Sequence, residues 1–293
     1  MMPGRRWARN LARQAAGVAL TLLVGGFLAA TLVRLSPGFG LDERELDARF
    51  SAGSLEALRE ERAGERNIGR FYVRHMAGML RGELGFSASL GRPIGGLISE
   101  RAGVTAKLIV AGVVLGWTLA LALAVPAVLL RSPLYRACTT LVTGLFLCVP
   151  SAALALLLFF HGGPVRAAIA LVIFPKVFQY LRNLLEHAWS LPHVLAARAK
   201  GLRTGRILIW HVLPSAAPEM LALAGVSVSM ALGAAIPVEV ICDLPGIGQL
   251  AWKAAVARDL PVLVNLTLLI ALVTQLANSA SDAATGVLQE ARG

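Results

Sequence analysis

Two ionisable side chains, Lys176 and Glu239, interrupt stretches of sequence otherwise nearly free of charge. In an apolar medium such groups are costly and are kept for a proton relay, an ion path or a partner. Each falls within a turn or two of the end of its apolar block, where a long side chain reaches an interface. The pair is a thin basis for ion coupling. The five histidines, His75, His161, His187, His193 and His211, are scattered over connecting segments. His187 and His193 share one such segment, but their spacing is not that of helical metal ligands. Cys138, Cys148 and Cys242 form no CxxC or Cys/His pattern. No HExxH, GxSxG or Walker phosphate loop occurs, and no apolar block carries an acidic pair. Ser227 and Ser229 have no base near them in sequence and, with Gly225 and Gly233, suit close helix packing. The expectation is a chain that does no bond chemistry, binds no metal and holds no cofactor of its own.

The elements that carry these residues are apolar. Of 293 residues, 56% are hydrophobic and 15% charged, against roughly 45–50% and about 25% in soluble domains. A soluble enzyme is not expected from these numbers, and a disordered chain is excluded. The 28 Lys+Arg outnumber the 17 Asp+Glu to give a net charge of +11, and their placement around the apolar blocks points to a membrane rather than to nucleic acid. Crossing a bilayer takes about 20 residues of helix. Six blocks qualify: 14–33, 108–130, 137–160, 165–181 (containing Lys176), 220–242 (with Pro237 and Glu239 near its end) and 260–281. The first exceeds the 7–15 residues of a signal-peptide core and reads as a true span.

Basic residues mark the cytoplasmic side. Residues 1–13 hold Arg5, Arg6, Arg9 and Arg13 with no acid, the 131–136 connection holds Arg131 and Arg136, and 182–218 holds five cations against Glu186. Six spans place all three segments inside, together with the 282–293 tail, so both termini are expected in the cytoplasm of a multi-pass inner-membrane protein. Residues 34–107 and 243–259 then form outer loops of a single transmembrane domain, 14–281. Within the first outer loop Ile68, Phe71, Tyr72, Met76, Met79 and Leu80 recur at helical spacing. They read as a surface helix packed on its own protein, the alternative being one that lies along the outer membrane face or against a partner.

In the inner segment, Gly201 suits a positive φ that ends a short helix and Pro214 suits the first turn of the next. This gives helix, turn, helix. A short cytoplasmic helix fits the groove of a soluble partner, with Arg198, Lys200 and Arg203 steering the encounter. The alternative is a basic loop that only fixes topology or touches anionic lipid.

The segment His193-Val-Leu-Ala-Ala-Arg-Ala-Lys-Gly201, continuing to Leu213-Pro214, resembles the EAA loop of binding-protein-dependent ABC importer permeases. Ala196, Ala197, Gly201, Leu213 and Pro214 stand at matching positions, while Leu195 replaces the acidic residue and His211 an isoleucine. Gly82-Glu-Leu-Gly-Phe-Ser87, with Arg92-Pro93-Ile94, Ile98-Ser-Glu-Arg101 and Thr105, and Leu244-Pro-Gly-Ile-Gly-Gln-Leu250 followed by Arg258-Asp259-Leu-Pro261, resemble the dipeptide, oligopeptide and nickel branch, which often carries Glu at 239. Residues 41–67 and the short 161–166 connection depart from it. The resemblance implies an all-α polytopic protein of six transmembrane helices with the type I, MetI-like permease fold. It implies the transmembrane subunit of an ATP-driven importer for peptides or a related small solute. The expected partners are a second, similar permease, two cytoplasmic ATPase subunits that hold the ATP and Mg, an extracytoplasmic solute-binding protein and membrane lipid, with no nucleic acid. Ala196, Ala197, Arg198, Ala199, Lys200, Gly201, Leu213 and Pro214 would couple to the ATPases. Glu239, Pro245, Gly246, Gly248, Arg258 and Asp259 would form an outer loop or gate. The competing expectations are an ion-coupled secondary transporter and a membrane anchor without transport. The solute, homo- against heterodimer, and whether Lys176 lines the path stay open at this level.

Overall fold

The computed structural model describes residues 16–28, 31–32, 68–87, 89–130 and 132–290; the expected basic N-terminus 1–13 and outer residues 34–67 lie outside them. The chain forms two compact units, residues 1–101 with 250–272, and residues 102–249 with 273–293.

In the first unit lie the short apolar helix α1 (Ala16–Leu28), α2 (Ile68–Leu80) and a two-stranded hairpin, β1 (Phe86–Ser87) against β2 (Arg92–Pro93). The first part of α3 (Ile94–Leu130) follows. The amphipathic reading of α2 holds: Tyr72, Met76 and Met79 pack with Leu260, Val264 and Leu268 of α11 (Leu260–Glu290). The Tyr72 hydroxyl lies 3.1 Å from Leu22 O and 3.0 Å from Leu23 O on α1. Two glycines of Gly82-Glu-Leu-Gly85 take positive φ, +84° and +83°, conformations that side chains with a Cβ resist.

The second unit holds the rest of α3, then α4 (Pro133–Cys148), α5 (Ser151–Phe160), α6 (Val165–Trp189), α7 (Pro192–Ala199) and α8 (Thr204–Ile207). A π-helical turn, Leu208–Val212, leads into α9 (Leu213–Ile241), and α10 (Ile247–Val256) begins here. Apolar burial does not drive helices together in lipid, so close contact rests on small residues. Gly112 and Gly116, four apart on α3, supply it. A Cβ on Gly112 would lie 2.6 Å from Ile169 and one on Gly116 2.7 Å from Ile173, both on α6. Gly225 of α9 likewise faces Ala277 O and Ser281 of α11. Gly233, expected to serve the same purpose, faces open space.

Among the described residues four helices are long and apolar enough to cross a membrane: Ile94–Leu130, Val165–Trp189, Thr204–Ile241 and Leu260–Val287. The 137–160 block is not one straight span. It is α4 and α5 with a 95° bend between them. Pro150 is the cause, because a residue before proline is pushed out of the helical region and Val149 sits at φ −88°, ψ 122°. The fourth block runs past 181 to Trp189, which moves Lys176 from near a span end to the middle of α6. The fifth begins at Thr204 rather than 220. Although the helical run as a whole is continuous from Thr204, Pro214 stands in the first turn of α9, as expected. The π-turn just before it, where Leu213 N donates to Leu208 O, accommodates a residue that has no N–H to give.

Candidate functional site

The segment from Pro192 to Val212 forms the expected helix, turn, helix. Pro192 occupies the first turn of α7, where no N–H is needed. The helix closes on Gly201 at φ +74°. Gly201 N donates to Arg198 O at 2.9 Å and Leu202 N to Ala197 O at 3.3 Å, the paired bonds of a Schellman turn. Val194 and Ala197 are buried in a core with Trp189, Ile207 and Val212. This corrects the expectation that Ala197 faces a partner: it seats α7 on its own protein. The outward face consists of Leu195, Ala196, Ala199, Lys200 and Gly201. Arg203, Arg206, Ile209 and Trp210 are exposed beside it, Trp210 to 72%. Arg198 is not aimed outward alone, for its guanidinium lies 4.7 Å from the Trp189 ring centroid, a cation–π arrangement. Leu213 is half-buried and Pro214 exposed.

A second link, not legible in the sequence, ties α7 to α9. Ser215 Oγ donates to His211 O at 2.7 Å, and His193 Nε2 lies 3.1 Å from Ser215 Oγ. A hydroxyl has one proton to give, so His193 Nε2–H is the donor in the second contact.

Of the outer residues, Glu239 is fully buried rather than reaching an interface. Thr105 Oγ1 donates to its Oε1 at 2.6 Å, while Gly248 N and Gln249 N donate to Oε2 at 2.7 and 3.2 Å. Thr105 Oγ1 also accepts from Ile247 N at 2.8 Å. Three of the unpaired N–H groups that begin α10 are thus satisfied by two side chains, and the carboxylate lies at the positive end of that helix. Gly246 and Gly248 are required by the same clasp: a Cβ at 246 would meet the Glu239 carboxylate, and one at 248 would lie 2.6 Å from Ile236 Cα. Pro245 is exposed at the turn, and Gln249 Nε2 donates to Asp243 Oδ1 at 2.6 Å.

Asp259 makes a separate clasp in the first unit. Its Oδ2 accepts from Ser87 Oγ (2.7 Å), Ser89 N (3.0 Å) and Ser89 Oγ (2.7 Å), and its Oδ1 from Val262 N at 3.3 Å. It caps α11 and pins the hairpin after β1 in one step. Arg258 precedes it at φ +56° with its side chain exposed. Thr105, Ser87 and Ser89 were assigned no function from sequence. Ser87 and Thr105 entered only as parts of a resembling segment, and their roles were hidden because their partners lie 134 to 172 residues away.

Residues 112–292 match the family model described as binding-protein-dependent transport system inner membrane component. A Brucella suis protein bearing the name of a peptide permease is 25% identical over 301 aligned residues, covering 92% of this chain and 93% of that one. A dipeptide transport system permease protein of Lactococcus lactis is 23% identical, covering 92% and 94%. Among solved structures, the inward-facing MetNI methionine ABC transporter superposes with a TM-score of 0.56 at 18% identity, over 66% of this chain and 96% of that one. That likeness concerns the fold.

Proposed function

Since the chain belongs to the binding-protein-dependent transport system inner membrane component family, and is thus a permease subunit of an ABC importer in the inner membrane, we propose that it carries peptides or a related small solute. The solute is handed over outside by a solute-binding protein. The names of relatives aligned over nine-tenths of the chain support this solute class. The permease pairs with a second, similar subunit, and two cytoplasmic ATPase chains bind ATP and Mg and perform the hydrolysis. Both termini and the 182–218 segment lie on the cytoplasmic side, while 34–107 and 243–259 face out.

The observation that carries coupling is the seating of α7. A knob that transmits force must be rigid toward its own body and complementary toward its partner. Val194, Ala197 and the Arg198–Trp189 stack provide the first property; the outward small and apolar face of Leu195, Ala196 and Ala199, rimmed by Lys200, Arg203 and Arg206, provides the second. Closure of the ATPases displaces α7, and the His193–Ser215 link passes that displacement to α9. The transporter then switches between inward- and outward-facing states as a rigid-body transition, biased by nucleotide only because the two states contact it differently. Pro245, Gly246 and Gly248, held by Glu239, serve as the fixed corner of an outer gate.

The test is Leu195→Asp and Ala199→Trp, on the outward face, in the whole transporter. Each should leave the permease inserted and paired but release the ATPase chains on purification and abolish ATP-driven uptake. ATPase chains retained with normal uptake in both variants would overturn the coupling role of α7.

A further inference from the structure

The helix α6 is turned inside out for a membrane span. Every exposed residue between 167 and 189 is polar: Lys176, Tyr180, Asn183 and His187. They fall at steps of four, three and four, one stripe along one face. The opposite face, with Phe178, Leu181 and Leu185, is fully buried in the second unit. Neighbouring helices of that unit behave in the reverse way, exposing Val110 and Val114 on α3 and Leu141 and Leu145 on α4, as surfaces facing lipid tails do.

A lysine in the middle of a span cannot rest in hydrocarbon without several kcal/mol of cost, and such groups face a water-filled cavity or a paired charge. Lys176 sits near the midpoint of Val165–Trp189, with helix on both sides. Tyr180, Asn183 and His187 continue the polar surface from it toward the end of α6 that leads into α7. A single ion pair in a dry seam would need one polar residue opposite Lys176. It would not need three more donors and acceptors along nearly three turns. We infer that the stripe of α6 lines a water-filled route for the solute, and that Lys176 gives that route a preference for anionic groups such as the carboxylate of a peptide or acid. The inference deepens the transport reading above and rests on it for the existence of a route.

Accessibility and charge preference are measurable without knowing the solute. In the assembled transporter in membrane vesicles, with Cys138, Cys148 and Cys242 replaced by serine, single substitutions Tyr180→Cys, Asn183→Cys and His187→Cys are treated with membrane-impermeant methanethiosulfonates, one anionic (sulfonatoethyl) and one cationic (trimethylammonioethyl). Leu141→Cys and Leu145→Cys, exposed apolar positions on α4, serve as controls. The stripe positions should react in at least one nucleotide state while the controls stay silent. At Tyr180→Cys, about one turn from Lys176, the ratio of anionic to cationic rates should fall about fivefold in Lys176→Gln, the effect of a unit charge about 8 Å away in water, and at Asn183→Cys, about 10 Å along the helix, it should fall less. Lys176→Arg should restore it. A stripe that stays unlabelled with and without nucleotide would place it in a dry protein seam and overturn the inference. Labelling with a charge ratio indifferent to Lys176→Gln and Lys176→Arg would overturn the role of Lys176. Neither outcome depends on ATP-driven uptake, so a failure here is distinct from failure of the coupling role of α7.

Discussion

Gly201 is the single residue on which the inner helix–turn–helix depends. Its φ of +74° is one that a β-branched residue adopts only at a strain of about 1–3 kcal/mol, whereas asparagine tolerates it. Nothing crowds the site, since a Cβ there would meet no atom within 4 Å. Gly201→Val should therefore release the ATPase chains by distorting the turn while the permease still inserts, and Gly201→Asn should retain much of the binding, both read by co-purification. Glu239 behaves differently. Its carboxylate is enclosed by Thr105 and the first N–H groups of α10, so Gly246→Val and Gly248→Val strike packing before they strike any gate. Thr105→Val is the cleaner probe: it keeps the shape, removes the hydroxyl and leaves Ile247 N and one carboxylate oxygen short of a partner, at a cost of about 1–3 kcal/mol. A lowered melting temperature in detergent checks it. A third residue links stability to acidity. Burial holds the His75 imidazole below its ordinary value, partly opposed by its hydrogen bond with Asn265. A histidine whose folded pKa is depressed contributes stability above its unfolded pKa, about 6.5, and loses it as pH falls through the folded value. Melting between pH 7 and 5 should show an acid-dependent decrease that is smaller in His75→Gln.

At the scale of elements, α3 approaches α6 closely where Gly112 and Gly116 leave no room for a side chain. Gly116→Val would drive new methyls into Ile173 at a cost of typically about 1–3 kcal/mol. It should lower the melting temperature of the purified permease more than Gly233→Val, whose site is open. Equal losses in the two variants would contradict the packing. Sequence alone singles out Gly225 and Gly233 for close packing and passes over Gly112 and Gly116, whose role shows only once α6 is placed against them. Apolar length located the spans, because that signal is carried by every residue of a block. The Gly201 turn was legible for a local reason too, the steric freedom of one residue. The bend at Val149–Pro150 was written in the proline but masked by unbroken apolar composition on either side. The clasps of Glu239 and Asp259 were hidden, because hydroxyls that satisfy a buried carboxylate have no periodicity, and the inward turn of Ala197 was hidden because an alanine suits a core and a partner groove equally.

For the whole molecule, the proposed arrangement commits each connection to one side of the membrane, and sidedness is where it is most open to refutation. Basic residues concentrate in the 131–136 connection and in 182–218, whereas 34–107 mixes twelve Lys+Arg with ten Asp+Glu, and short basic connections stay inside while long mixed loops cross. Arg81, just after α2, and Arg206, on α8, are both exposed, and neither sits in the cores described above. With Cys138, Cys148 and Cys242 replaced by serine, Arg81→Cys should react with an impermeant maleimide added to intact cells or right-side-out vesicles and resist it in inverted vesicles; Arg206→Cys should do the reverse. The bent pair α4 and α5 makes the result informative. If that pair is re-entrant rather than a broken crossing, the number of crossings between Arg81 and Arg206 changes by one, and the two cysteines then label from the same side. Same-side labelling would remove α7 from the cytoplasm, and with it any contact between the Leu195–Ala199 face and an ATPase. Opposite-side labelling fixes α4 and α5 as one broken span and leaves α7 where nucleotide-driven motion reaches it.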